Sequence, residues 1–93
     1  MRGLIIKSPY IDQILSGFKK WEIRGSNTKI RGKIYLIKSG TKKIYGEVDL
    51  MDSFEIDLKK YNEYHKALYG IVCESLPYKR TYAWVVTKPY LYK

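Results

Sequence analysis

The sequence has few of the features that define several large protein classes. Only one of its 93 residues is a cysteine, so an intrachain disulfide is excluded, and Cys73 is expected to be a small buried residue rather than a nucleophile. No apolar run approaches the roughly 20 residues that a membrane-spanning helix needs. Leu4–Ile6 is too short for the hydrophobic region of a signal peptide. These absences predict a cytoplasmic location and no membrane partner.

Acidic residues are scarce in the first half of the chain. Residues 1–43 contain 11 lysines and arginines but only two acidic residues, Asp12 and Glu22, whereas residues 44–93 contain seven of each sign. The net charge of +9 therefore comes entirely from the first half. Concentrated positive charge attracts phosphate-rich polymers, which release counterions on binding. A solubilising surface is the alternative, and a polyanion partner is favoured over it.

The length of 93 residues predicts one domain, residues 1–93. The order of apolar and turn residues predicts seven elements, which are strand 4–6, helix 8–17, strands 20–24, 33–38 and 44–50, helix 57–70 and strand 82–86. Ser8 is the expected N-cap of the first helix, with Pro9 at its first position, and Asp57 is the expected cap of the second. Pro89 is expected to end the last strand. Short strands with tight turns predict an α+β fold, in which a mainly antiparallel sheet curls toward a small barrel with two helices.

The strand over residues 20–24 alternates between two kinds of side chain. Trp21 and Ile23 are expected to face the core, and Glu22 and Arg24 are expected to face the other way. A carboxylate between cations stays ionised and orients an arginine, whose planar fork suits phosphate. An inert, solvated salt bridge on an exposed strand explains the same pattern. The start of the first helix, residues 8–10, is a candidate anion site.

Several segments together resemble the ASCH domain, a family of small PUA-like β-barrels. Residues 17–24 carry the most specific block, which reads G-x-K-x-W-E-x-R. The other matching segments are residues 3–10, 14–16, 31–34, 46–48 and 82–85. Lys19, Glu22 and Arg24 fall on the lysine, acidic and arginine positions of the family. The resemblance implies a cleft beside the sheet, walled by the first helix and this strand.

The resemblance also implies RNA or single-stranded DNA binding, ribonuclease activity or hydrolysis of acetylcytidine. The acetylcytidine hydrolases carry a threonine nucleophile where this chain has Glu22, so that activity is not expected here. Relatives continue into a further strand after the one at residues 82–86. An unpaired sheet edge is therefore expected, covered by residues 90–92 or by a second subunit in a homodimer.

These observations predict one set of candidate site residues and three functions. The expected ligand-binding residues are Ser8, Pro9, Tyr10, Lys19, Lys20, Glu22, Arg24, Lys29 and Lys38. Binding of RNA or another single-stranded nucleic acid ranks first. A hydrolase of RNA or a modified nucleoside, with Lys19 and Glu22 as catalytic residues, ranks second, and a protein-interaction domain without a nucleic-acid ligand ranks third. No cofactor is expected, and no metal either, because His65 lacks partners at ligand spacing.

Overall fold

The computed structural model describes residues 2–93. Segments of alternating apolar residues form its five strands. The elements are β1 (Gly3–Ile6), α1 (Tyr10–Leu15), β2 (Trp21–Arg24), β3 (Gly32–Lys38), β4 (Lys43–Ile56), α2 (Leu58–Tyr69) and β5 (Thr81–Leu91). The predicted order of strands and helices is confirmed. No helix within residues 2–93 is long and apolar enough to cross a membrane.

The five strands form one sheet in the order β1-β3-β4-β5-β2. Only β1 pairs in parallel, with β3, and the remaining pairs are antiparallel. The sheet curls into a half-barrel, which confirms the predicted α+β class. The two edge strands are therefore β1 and β2, and the barrel stays open between them.

The core fills the inner face of the curled sheet and is covered by α1. Leu36, Val48 and Leu50 supply the sheet side, and each is at most 2% exposed. From α1, Ile11 and Ile14 are equally buried, because positions three residues apart lie on one face of a helix. This packing fixes the inner face of the sheet on which the candidate site lies.

The first helix begins one residue later than the sequence predicts. Pro9 occupies the N-cap position and makes no side-chain capping bond. Ser8 is not the N-cap, because its hydroxyl donates to the carboxylate of Asp12 at 3.0 Å instead of accepting from the backbone. A six-residue helix starting at Tyr10 leaves Ser8 and Pro9 outside the helix.

Strands β4 and β5 are longer than predicted. The strand β5 passes Pro89 and reaches Leu91, so Pro89 does not end it. Lys88 has a positive φ of 51° and marks an irregularity where the pairing with β4 shifts. A proline is tolerated at such a bulge because no ladder hydrogen bond is needed there.

The segment after Pro89 pairs inside the sheet and does not cover an edge strand. Tyr90 lies opposite Glu47, and the backbone N–H of Tyr92 donates to the carbonyl of Tyr45 at 2.9 Å. Gly46 permits this approach, because a Cβ there would clash with the backbone carbonyl oxygen of Tyr90. The expectation that residues 90–92 cover the open edge is therefore wrong.

Helix α2 is capped as predicted but contributes nothing to the core. The Asp57 carboxylate accepts from the backbone N–H of Lys60 at 2.8 Å, and Gly70 ends the helix in the left-handed conformation. None of the residues of Leu58–Tyr69 is buried. One of its attachments to the rest of the chain is the Tyr69 hydroxyl, which donates to the Gln13 side chain at 2.5 Å.

Candidate functional site

Strand β2 presents its charged residues to the inside of the sheet. Glu22 lies opposite Trp84 and Arg24 opposite Tyr82 on β5, and both aromatic partners belong to the core. Because opposed residues share a face, Glu22 and Arg24 point inward. Glu22 is buried with 7% exposure, whereas Trp21 is only partly buried. The expected orientation of this strand is therefore wrong.

The apolar residues of β2 find their cover on the other face. The Trp21 ring stacks on the ring of Tyr64 from α2 at 4.4 Å, and it meets Phe54 edge to face at 5.6 Å. The Tyr64 hydroxyl also accepts from the backbone N–H of Lys20 at 3.1 Å and from that of Trp21 at 2.9 Å. Helix α2 thereby buries the outer face of an edge strand and frees the inner face for charged groups.

A cavity of about 460 Å³ lies between the two edge strands and α2. Its volume falls within the range of small-molecule sites in proteins, about 300–1,000 Å³. Its lining residues come from β1, α1, β2, α2 and the loop before β5. They are Ile5, Ile6, Lys7, Tyr10, Lys19, Glu22, Ile23, Arg24, Gly25, Ser26, Tyr61, Tyr64, His65, Tyr69, Pro77 and Tyr78.

Arg24 connects three parts of the cavity wall. Its Nη1 atom donates to the Glu22 carboxylate at 3.2 Å and to the backbone carbonyl of Ile5 at 3.3 Å. Its guanidinium carbon lies 5.6 Å from the ring centre of Trp84, within range of a cation–π contact. The side chain keeps 33% exposure, so it remains accessible from the cavity.

Lys19 is a buried cation at the base of the cavity. Only 6% of the residue is exposed. Its ammonium lies 5.2 Å from the ring centre of Tyr64 and 5.8 Å from that of Tyr10. Within residues 2–93, no group accepts a hydrogen bond from the ammonium, and no carboxylate lies within 4.0 Å of it. Burial lowers the pKa of Lys19, and the negative charge of Glu22 partly opposes that shift.

Glu22 experiences the opposite shift for the same physical reason. Burial raises the pKa of the Glu22 carboxyl, and the hydrogen bond from Arg24 is the largest of the effects that counteract the rise. Lys19 lowers it further by charge attraction. Both shifts favour the neutral form of the group, and oppositely perturbed pKa values within one cavity are typical of functional sites.

The outer wall of the cavity is aromatic, and sequence reasoning missed it. Four of its side chains come from α2, namely Tyr61, Tyr64, His65 and Tyr69. Tyr10 and Tyr78 lie at the mouth and are about half exposed, at 45% and 46%. The sequence feature that could have revealed it is the set of aromatic residues at helical spacing in a helix with few aliphatic residues. Such a pattern favours an aromatic helix face that lines a cavity over one that packs into the core.

The structure brings together four of the predicted site residues, Tyr10, Lys19, Glu22 and Arg24. Five others lie elsewhere, and they are Ser8, Pro9, Lys20, Lys29 and Lys38. Lys38 pairs with Asp12 at 3.7 Å and covers the ring of Tyr45. Lys29 is exposed in the loop between β2 and β3, and Lys20 lines a separate cavity of about 230 Å³.

Cys73 lies next to His65 of the aromatic wall. The His65 Nδ1 atom is 2.9 Å from the carbonyl of Ile71 and 3.9 Å from the Cys73 sulfur. Because the carbonyl can only accept, Nδ1 carries the proton in this arrangement. Cys73 is partly exposed rather than buried, contrary to expectation. Across residues 2–93, no three histidine, cysteine or carboxylate side chains come together as a metal site.

Comparisons with known proteins agree with this architecture. The family model of the ASCH domain matches residues 4–92. The crystal structure of the ASCH protein from Zymomonas mobilis superposes with a TM-score of 0.74 at 14% identity, covering 96% of this chain and 68% of that one. A point mutant of the same protein gives a TM-score of 0.75 at 14% identity, with 98% and 71% covered. No curated protein sequence matches the chain.

Proposed function

This chain belongs to the ASCH domain family, and we propose that its cavity binds one unpaired nucleotide of a single-stranded nucleic acid, with RNA as the expected polymer. The family is PUA-like and is associated with RNA binding. The observation that carries the proposal is Lys19, a residue with 6% exposure that lines an aromatic-walled cavity and whose ammonium has no protein acceptor among the described residues.

An ammonium in this position favours a ligand that brings an acceptor. The Lys19 ammonium is open to the cavity, because no fully buried side-chain nitrogen or oxygen among the described residues lacks a hydrogen-bond partner. Its partial removal from water is still costly, and two aromatic rings compensate only in part. A phosphate oxygen or a base carbonyl placed near Lys19 supplies the missing acceptor. The charges of Glu22 and Arg24 cancel within their ion pair, so the charge of Lys19 gives the site a net positive charge. This charge favours an anionic ligand.

The aromatic side chains suit the planar part of a nucleotide. The half-exposed rings of Tyr10 and Tyr78 flank the mouth of the cavity. Stacking of a base on an aromatic ring contributes about 1–3 kcal/mol and tolerates any base. Phe18 is 50% exposed beside the two lysines that follow it and packs edge to face on Tyr69 at 6.3 Å. It offers a further stacking surface for a neighbouring nucleotide of a polymer.

Binding is best tested with short single-stranded RNA, single-stranded DNA, duplex RNA and free nucleosides, followed by amide chemical shifts. We expect the single strands to shift the amides of β2, α1 and the cavity face of α2. The affinity should fall with salt, with a logarithmic slope of about −0.7 for each phosphate neutralised.

Lys19→Met and Lys59→Met form the matched pair for this experiment. Lys59 is exposed on α2 and does not line the cavity. We expect Lys19→Met to weaken RNA binding at least tenfold, whereas Lys59→Met has an effect of less than twofold. Equal losses in both variants would reduce the interaction to non-specific surface charge. No shift with any oligonucleotide at low salt would instead favour a protein-interaction domain.

The opposed pKa shifts of Lys19 and Glu22 favour one second candidate, a hydrolase of RNA or of a modified nucleoside. In that reaction Glu22 would act as the general base toward water, and Lys19 would stabilise the developing negative charge. Glu22→Gln should then abolish product formation while RNA remains bound. RNA that binds the wild-type protein and is recovered intact would exclude this candidate for that substrate.

A further inference from the structure

The backbone of β1 has one edge paired and one edge free. The carbonyls of Arg2 and Ile6 accept from the N–H groups of Tyr35 and Ser39, at 2.9 and 3.0 Å, on the β3 side. Because the peptide groups of successive residues in a strand point alternately to its two edges, the N–H and carbonyl of Ile5 point away from β3. No strand pairs with β1 on that side within residues 2–93.

This free edge faces the cavity. Ile5 and Lys7 both line the cavity. Arg24, from the opposite edge strand, donates across the cavity to the Ile5 carbonyl. The Lys7 carbonyl is already used by the N–H of Ile11 at 3.1 Å. Within the described part of the chain, no group accepts from the N–H of Ile5 or from that of Lys7. Two donors and one acceptor therefore line one rim of the cavity.

We propose that the free edge of β1 reads the hydrogen-bonding edge of the bound base, with the Ile5 N–H donating to a base acceptor and the Ile5 carbonyl accepting from a base N–H. This inference rests on the proposed binding of an unpaired nucleotide and adds base selectivity to it. Arg24 gives up its 3.3 Å contact with the carbonyl in the complex and turns to the ligand phosphate.

Such reading requires a base whose Watson–Crick edge is not already paired. Single-stranded RNA is commonly recognised through this edge while the base face stacks on aromatic side chains. A peptide strand could also pair with a free edge. The edge of β1 is unsuited to it, because β1 has four residues and the Arg24 side chain crosses the row at Ile5. A base needs only the groups around Ile5.

The backbone donor can be removed without removing the strand. Ile5→Pro deletes the N–H, and proline is accepted on edge strands whose N–H makes no ladder bond. Ile5→Ala keeps the N–H and removes the side chain, which is 60% exposed and outside the core. The two variants therefore separate the backbone from the side chain at one position.

Affinity should be measured for four single-stranded RNAs that differ only in one central base. We expect the wild-type protein to prefer one base by roughly tenfold, as good paired contacts to a base edge do. We expect Ile5→Ala, which alters the cavity wall but retains the N–H, to bind more weakly and to keep the same preferred base. We expect Ile5→Pro to bind all four within about twofold of each other, while it keeps the salt dependence of phosphate contacts.

Two results would overturn the inference and leave the proposed function standing. One is equal affinity of the wild-type protein for all four RNAs, and the other is an undiminished base preference in Ile5→Pro. If none of the four RNAs binds, the proposed function is rejected instead. If Ile5→Pro does not fold, the wild-type amide of Ile5 gives the answer. Its proton resonance should move downfield with the preferred RNA, and equal shifts with all four would contradict base reading.

Discussion

Arg24 and Ile5 lie on the two edge strands of the sheet, and the Arg24 guanidinium donates to the Ile5 carbonyl at 3.3 Å. The seam of the half-barrel is thus bridged by a side chain where a closed barrel would have a backbone ladder. The same nitrogen holds the Glu22 carboxylate at 3.2 Å. The site and the seam are therefore one structure, and a change at Arg24 affects both.

Arg24→Lys tests this bridge. Lysine keeps the charge but loses the planar fork, so it cannot serve Glu22 and Ile5 in the same geometry. We expect the free energy of unfolding, measured in urea, to fall by about 1 kcal/mol. Arg2→Lys is the control, because Arg2 is exposed. If both variants match the wild-type protein within the error of the measurement, the bridge does not contribute to stability.

Lys19→Met should separate stability from binding. Methionine has a similar length and no charge to desolvate, so we expect the free energy of unfolding at neutral pH to rise by about 1 kcal/mol. RNA binding should be lost in the same variant. A fall in the free energy of unfolding of similar size would mean that Lys19 stabilises the fold rather than binding a ligand. Lys59→Met is the control, because it measures the effect of removing an exposed charge.

The pH dependence of stability should reveal the lowered pKa of Lys19. Its folded-state pKa lies below the ordinary value of 10.5, so between the two values the folded protein binds fewer protons than the unfolded chain. Stability then rises with pH in that window, and the penalty of burial is fully present below the folded-state pKa. Urea denaturation at several values between about pH 7 and 10 should show wild-type stability rising relative to Lys19→Met. Parallel curves would refute the shift.

Tyr64→Phe tests how α2 is attached to β2. The variant keeps the stacking on Trp21 but leaves the backbone N–H groups of Lys20 and Trp21 without their acceptor. We expect a loss of about 1–3 kcal/mol in the free energy of unfolding. Tyr78→Phe is the matched control, because no hydrogen bond of the Tyr78 hydroxyl is found within residues 2–93. Equal effects of the two changes would argue against the proposed role of the Tyr64 hydroxyl.

The element order and the cap at Asp57 could be predicted because both depend on local sequence. Apolar periodicity marks strands and helices, and an aspartate before a helix accepts from its first turn. The full length of β5 could not be predicted in this way. A proline normally ends a strand, and only the pairing of Tyr90 with Glu47 across a bulge shows that this strand continues.

The orientation of β2 also lay beyond sequence reasoning. Alternation separates Trp21 from Glu22 but does not say which face is covered, because that depends on tertiary contacts. The stacking of Tyr64 on Trp21 covers the apolar face from outside the sheet. The sequence block at residues 19–24 correctly indicated the region of the candidate site. That the tyrosines of α2 lie opposite this block follows only from the tertiary structure.

Helix α2 offers an opportunity for protein engineering. None of its residues between Leu58 and Tyr69 is buried, yet it supplies most of the aromatic wall of the cavity. Substitutions at Tyr61, His65 and Tyr69 therefore alter the wall without creating holes in the core. The helix is a suitable place for a randomised library that changes ligand preference, with the sheet kept constant as the scaffold.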